Sequence, residues 1–218
     1  MMSDNTTPLE YREKLLDAVL PHVAFDGWSN KALFMAAEDI GISKEMAELA
    51  FPDGALELIE AHLAQADKQL AQALTEKNLP EMKIRDRITT AVRTRFELAS
   101  DYKDAVRKGV AFLAQPQYAA VGAKALWKTC DIMWRCAGDK SMDHNWYTKR
   151  MTLSAVYSAV LTFWLNDDSE NHAETWAFLD RRIEDVMKIE TAKFQFKEAT
   201  KHMPSLTRFL GRLRYPAT

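Results

Sequence analysis

Phe25-Asp26-Gly27-Trp28-Ser29, then Gly41-Ile42-Ser43, then Phe51-Pro52-Asp53 divide the start of the chain into closely spaced helices. Before the first break, Leu15, Leu16, Val19, Leu20 and Val23 recur at helical spacing, which predicts a helix over Leu9–Ala24. Gly27 suits the left-handed backbone of a helix end. Ser29 is placed to cap a second helix, Asn30–Asp39, by accepting a backbone N–H of its first turn. Gly41 stops that helix, and Ser43 caps a short third one, Lys44–Ala50. Phe51-Pro52-Asp53 ends the triplet, and Asp53 is placed to cap a long helix over Ala55–Thr75.

Working outward, further helices are expected at Met82–Ser100, Tyr102–Ala114, Gln117–Ala137, Asn145–Leu165 and Glu170–Ala199. No strand-type alternation, internal repeat or low-complexity tract interrupts them, so the expected class is all-α. Around Met151–Leu165 the apolar residues nearly encircle the helix, and Leu126, Trp127, Ile132, Met133 and Trp134 fit no single stripe. Such helices sit centrally in a bundle, line a cavity or form a subunit interface.

Composition narrows the classes. The chain has 218 residues, 47% hydrophobic and 28% charged, an ordinary globular balance. A net charge of −2 argues against binding polyanions by charge alone. Cys130 and Cys136 are the only cysteines, and their spacing implies no disulfide framework. No apolar run is long enough to span a bilayer. Met1–Pro8 lacks the regions of a signal peptide and is short for a transit peptide, so a bacterial cytoplasmic location, peripheral to the inner membrane, is expected. A processed organellar protein remains the alternative.

No catalytic pattern stands out. A di-iron site of the ferritin type needs Glu-x-x-His pairs, and the residues three before His22, His62, His144, His172 and His202 are Val19, Ile59, Ser141, Ser169 and Ala199. Zinc, phosphate-loop and nucleophile-elbow motifs do not occur. No catalytic residue, metal or cofactor is expected, and the chain reads as a non-enzyme.

Two segments look outward. Asp143-His144-Asn145-Trp146-Tyr147-Thr148-Lys149-Arg150 follows the helix stop Ala137-Gly138-Asp139, and Trp146, Tyr147 and Arg150 cannot share one helical face. Exposed Trp, Tyr and Arg are the types enriched at binding hot spots; a helix with one buried Trp and a solvated Lys-Arg pair is the plainer alternative. Near the C-terminus, Leu206, Phe209, Leu210 and Leu213 share a helical face flanked by Arg208, Arg212 and Arg214. A short basic amphipathic helix of this kind lies in a membrane interface, although folding back on the body or packing in a dimer would use the same pattern.

The helical triplet resembles the N-terminal module of TetR-type regulators, through Gly27, the Ala36–Asp39 helix end, Gly41-Ile42-Ser43 and Phe51. In that family the third helix enters the DNA major groove. Here residues 31–48 offer only Lys31 and Lys44 as cations against Glu38, Asp39, Glu45 and Glu48. The third helix, Lys-Glu-Met-Ala-Glu-Leu-Ala, has no Arg, Asn or Gln to read base edges. A degenerate helix-turn-helix with no nucleic-acid partner is therefore expected. A ligand-responsive TetR-type DNA-binding repressor is the competing reading, and a ligand-free scaffold in a biosynthetic complex is a third.

Across roughly Tyr11 to Met187 the chain also resembles the COQ9 family. The likeness is carried by Ala24-Phe25-Asp26-Gly27-Trp28, Ala50-Phe51-Pro52-Asp53-Gly54, Ala137-Gly138-Asp139, Asn145-Trp146-Tyr147-Thr148-Lys149-Arg150 and Thr175-Trp176-Ala177-Phe178-Leu179-Asp180-Arg181-Arg182. The resemblance implies a TetR-like bundle that acts in ubiquinone biosynthesis as a lipid-binding accessory. Its expected partners are an isoprenoid quinone intermediate, the pathway's membrane-associated di-iron hydroxylase, a membrane surface and a second copy in a homodimer. The family's contact patch maps onto Met133, Trp134, Asp143, Trp146, Tyr147 and Arg150. A tunnel for an isoprenoid tail needs apolar walls; Leu126, Met133, Leu153, Tyr157, Val160, Leu161, Trp164, Trp176 and Leu179 are candidates, with Tyr157 able to bond a head group. The same residues would equally fill a packed core. The expected organisation is a disordered N-terminus (1–8), the helix-turn-helix-like module (9–54), a ligand-binding and dimerisation bundle (55–200) and the amphipathic helix (201–218).

Overall fold

The computed structural model describes residues 8–200. The amphipathic segment with Leu206, Arg208, Phe209, Leu210, Arg212, Leu213 and Arg214 lies outside the described residues, as does most of the N-terminal segment. The described residues form α1 (Pro8–Asp26), α2 (Asn30–Asp39), α3 (Lys44–Ala50), α4 (Ala55–Thr75), α5 (Ile84–Glu97), α6 (Lys103–Leu113), α7 (Ala119–Cys136), α8 (His144–Leu165) and α9 (Ala173–Thr200), with no strand among them.

The first three helices stop and start where the sequence punctuates them. Ser29 accepts the Ala32 N–H at 3.2 Å and Ser43 that of Met46 at 3.3 Å. Between them Gly41 takes φ +68°, so the Ile42 N–H reaches back to the Ala37 carbonyl at 2.8 Å and closes the end of α2.

Two apolar cores result. The first gathers Leu15, Val19, Val23, Trp28, Leu33, Ala47 and Phe51 from the N-terminal module with Leu58 and Ile59 of α4. The second gathers Leu70 and Leu74 of α4 with Phe96, Met133, Leu153, Val160, Trp164, Leu179 and Ile183. Helix α4 thus serves both. Arg12 ties the module to it: its guanidinium donates to the Ala50 carbonyl and to Glu57 at 2.6 Å and lies over the Phe51 ring. Trp28 Nε1 donates to the Ala105 carbonyl and fastens α6.

The expected helix Glu170–Ala199 is corrected at its start. Asn171 and His172 adopt left-handed backbone, φ 51° and 56°, so a 3₁₀ turn over Glu170–His172 precedes α9. Asp167 then accepts from both the Thr175 N–H and hydroxyl and anchors the first turn of α9.

Candidate functional site

A cavity of about 460 Å³ lies where the two cores meet, within the range of small-molecule pockets, about 300–1,000 Å³. It exists because α6 and α7 present small residues where they face each other: Ala105, Gly109, Ala119, Gly122 and Ala123 all line it. At Gly109 a Cβ would stand 3.2 Å from Trp28 Nε1 and 3.3 Å from Ile59, so glycine sets how closely α6 approaches. Lining residues at the α6–α7 corner, Val110, Ala114, Ala119 and Ala123, are exposed and form the mouth.

The closed end is walled by buried Phe96, Tyr157 and Trp164, with Phe96 stacked on Tyr157 at 5.1 Å. Polar groups collect there: His62, Arg95, Tyr102, Thr129 and Tyr157. Burial, and then the Arg95 charge, pushes the His62 imidazole down to about 4, so it is neutral at physiological pH. Burial likewise raises the Tyr102 and Tyr157 phenols, which stay protonated.

Of the expected lipid-contacting residues, Leu126, Tyr157, Leu161 and Trp164 line this cavity. Leu153, Val160, Leu179 and Met133 are instead packed in the second core, and Trp176 packs against that core beyond the cavity while donating to the Asn171 carbonyl. Helix geometry explains the split. Tyr157, Leu161 and Trp164 share one stripe of α8, and Leu153 and Val160, seven apart, share another. Trp28, His62, Arg95, Tyr102 and the α6 wall were absent from the expected set.

The second feature is the α7–α8 corner. Gly138, at φ +88°, ends α7, and the Asp139 N–H returns to the Trp134 carbonyl at 2.9 Å. Arg87 clamps the corner by donating to the carbonyls of Ala137, Pro80 and Met82. Asp143 caps α8 through the Asn145 N–H.

Two expected contact residues are corrected here. Met133 is fully buried, and Arg150 is only 1% exposed. Arg150 donates to Asp131 at 2.7 Å and to Asp139 at 2.8 Å, and its guanidinium lies 4.3 Å from the centre of the Trp146 ring. A charged group is stable there because two carboxylates and the Trp146 carbonyl answer it. Burial works to raise the Asp139 carboxyl, but bonds from Lys149, Arg150 and Ser141 outweigh it and hold the carboxyl well below the usual range. Trp134 is half-buried, donating to the Lys149 carbonyl.

What reaches the surface is an aromatic cluster. Tyr147 is 60% exposed and meets half-buried Trp146 edge-on at 4.7 Å, with Trp127 within 6.3 Å of both rings. Met142 and Met151 are exposed in the same segment. Trp127 and these methionines join exposed Asp143 in the region where the sequence suggested a contact patch.

A sequence model of the COQ9 family matches residues 119–190, the span from α7 into α9 that carries this corner. "Ubiquinone biosynthesis protein COQ9, mitochondrial" of Drosophila melanogaster is 31% identical over 82% of this chain and 56% of its own length. The chain is thus similar to COQ9 proteins over most of its length. The human COQ9 protein is 30% identical over 84% of this chain and 60% of its own length, and the rat protein 31% over 84% and 61%. The chain therefore spans less than two thirds of the length of these curated relatives. A TetR transcriptional regulator from Nitrosomonas europaea superposes with a TM-score of 0.66 over 80% of this chain and 96% of its own, at 19% identity, which shows the fold. The expected bacterial cytoplasmic location is overturned: these COQ9 relatives are mitochondrial proteins of eukaryotes.

Among the described residues no group of three or more His, Cys, Asp or Glu side chains is placed to hold a metal, and no helix is long and apolar enough to cross a membrane.

Proposed function

We propose that the chain acts in ubiquinone biosynthesis as a non-enzymatic accessory, holding an isoprenoid quinone intermediate and presenting it to the membrane-associated di-iron hydroxylase of the pathway. The observation that carries this reading is the cavity: apolar along α6 and α7, polar only at its closed end, and open at the corner where exposed small residues meet. A tail would lie along the Val106–Leu113 and Ala119–Leu126 walls, with its ring toward Tyr157. The COQ9 names of the relatives support the pathway. The Trp127, Trp146 and Tyr147 cluster supplies the aromatic surface that a hydroxylase contact needs. Membrane contact through the C-terminal basic segment and a homodimer complete the proposal.

Trp28 and Trp164 line the cavity, so their emission reports its occupancy. Titration with a farnesylated hydroquinone is expected to quench that emission saturably. Ala123→Trp, which narrows the mouth without touching the core, is expected to weaken binding roughly tenfold or more. Quenching that is unchanged in the variant would remove the cavity as the binding site.

A further inference from the structure

The closed end of the cavity carries a charge that no carboxylate among the described residues answers. Arg95 continues the interior stripe of α5, Ile88, Ala91, Val92, Arg95 and Phe96, and is 7% exposed. It lines the cavity, and its Nε is buried with no hydrogen-bond partner. Among the described residues no carboxylate stands within ion-pair distance of its guanidinium. Asp67 feels the Arg95 charge but is engaged elsewhere, accepting from the Thr129 hydroxyl at 2.7 Å and facing Lys128 at 3.9 Å. Burial pushes the Asp67 carboxyl up, which weakens it further as a counter-ion.

The other neighbours add donors. Tyr102 and Tyr157 line the same end beside the guanidinium, and each phenol has an O–H to donate. Trp164 Nε1 is buried without a partner at the same end. His62 is neutral and adds no negative charge. An unpaired buried guanidinium is strongly unfavourable, and its planar fork matches an oxygen anion.

We infer that Arg95, with Tyr102 and Tyr157, is a head-group site for an acidic amphiphile, whose carboxylate or ionised phenol pairs with the guanidinium while its apolar tail runs along α6 and α7. This rests on the lipid-holding reading above and sharpens it: the cavity selects by head-group charge as well as by tail. The anionic oxygen can come from a carboxylated lipid or from a prenylated phenol.

Isothermal titration calorimetry of the full chain with tail-matched farnesoic acid, farnesylated hydroquinone and farnesol separates the cases. At least one of the two acidic probes is expected to bind roughly tenfold tighter than farnesol, and the tighter of the two identifies the source of the oxygen. Arg95→Met is expected to bring the three within about twofold. Its thermal stability without lipid is expected to be unchanged or raised, because the unpaired cation is gone. Wild-type affinities for all three within about twofold would overturn the head-group site while leaving the lipid-holding reading intact. No binding of any probe would overturn both. Retention of the preference in Arg95→Met would remove Arg95 as the anchor. The wild-type comparison decides the head-group chemistry even where that variant fails to fold.

Discussion

Replacing Arg150 by alanine should unfold the chain more readily rather than merely strip a contact from its surface. Removing one partner of a buried ion pair costs about 3–5 kcal/mol, because the other charge is left buried and unanswered. Here each carboxylate keeps a second cation: Asp139 retains Lys149 at 2.6 Å, and Asp131 retains Arg135 at 2.7 Å. The cost therefore falls at the lower end, about 3 kcal/mol, with loss of the Trp146 stacking included. In a chain of this size that lowers Tm by roughly 6–12 °C. Urea and thermal unfolding followed by far-ultraviolet circular dichroism measure it directly. Adding Asp139→Asn should recover little, since Lys149 still answers that carboxylate in the single variant. A Tm within about 2 °C of wild type would refute the reasoning, and would return Arg150 to the surface where a sequence reading places it.

The remaining expectations are these. His62 is held below its ordinary value, so the unfolded chain takes up its proton first; full stability holds above about pH 6.5 and declines by about 3 kcal/mol as pH falls to 4. His62→Phe should flatten that window in pH-dependent urea titrations, whereas Asp67, with its raised carboxyl, acts in the opposite direction. The stability contributed by the Asp139 ion pairs and by the Asp167 hydrogen bonds from Ser169 and Thr175 is lost as pH falls from the ordinary carboxylate value downward, beneath most of the His62 window. Tyr147→Ala should change stability by no more than about 0.5 kcal/mol yet weaken hydroxylase binding roughly tenfold in a pull-down titration; unaltered affinity would exclude the aromatic cluster. Gly138→Ala places a side chain at φ +88° with Arg87 3.2 Å from its Cβ, and should cost about 1–2 kcal/mol by chemical denaturation.

Local chemistry made the bounds of α2, α3 and α4 readable to the residue, because Ser29, Ser43 and the turn glycines act within a few residues of themselves, although Gly54 and not the Asp53 side chain caps α4. Asn171 and His172 escaped notice because neither is a glycine and nothing nearby demands left-handed backbone. Arg150 was misplaced for a different reason. Its burial depends on Asp131, nineteen residues away on the preceding helix, and a charge pattern read along one helix does not contain that pairing. The cavity was half visible. Tyr157, Leu161 and Trp164 stand out because α8 is apolar on most sides, but a cavity is made by what neighbouring helices fail to fill. The signal was present in the small residues of α6 and α7, Ala105, Gly109, Ala119, Gly122 and Ala123. A second signal was Arg95, set in the apolar stripe of α5 where a charge has no reason to be unless something meets it.

The claim that this bundle holds a lipid is tested most directly by native mass spectrometry of the purified chain, followed by organic extraction and identification of what is released. The account predicts a bound mass that extracts as an isoprenoid with an oxygenated head and that is lost in Ala123→Trp. A protein mass with no adduct, from a chain that also fails to take up added farnesylated hydroquinone, would contradict it.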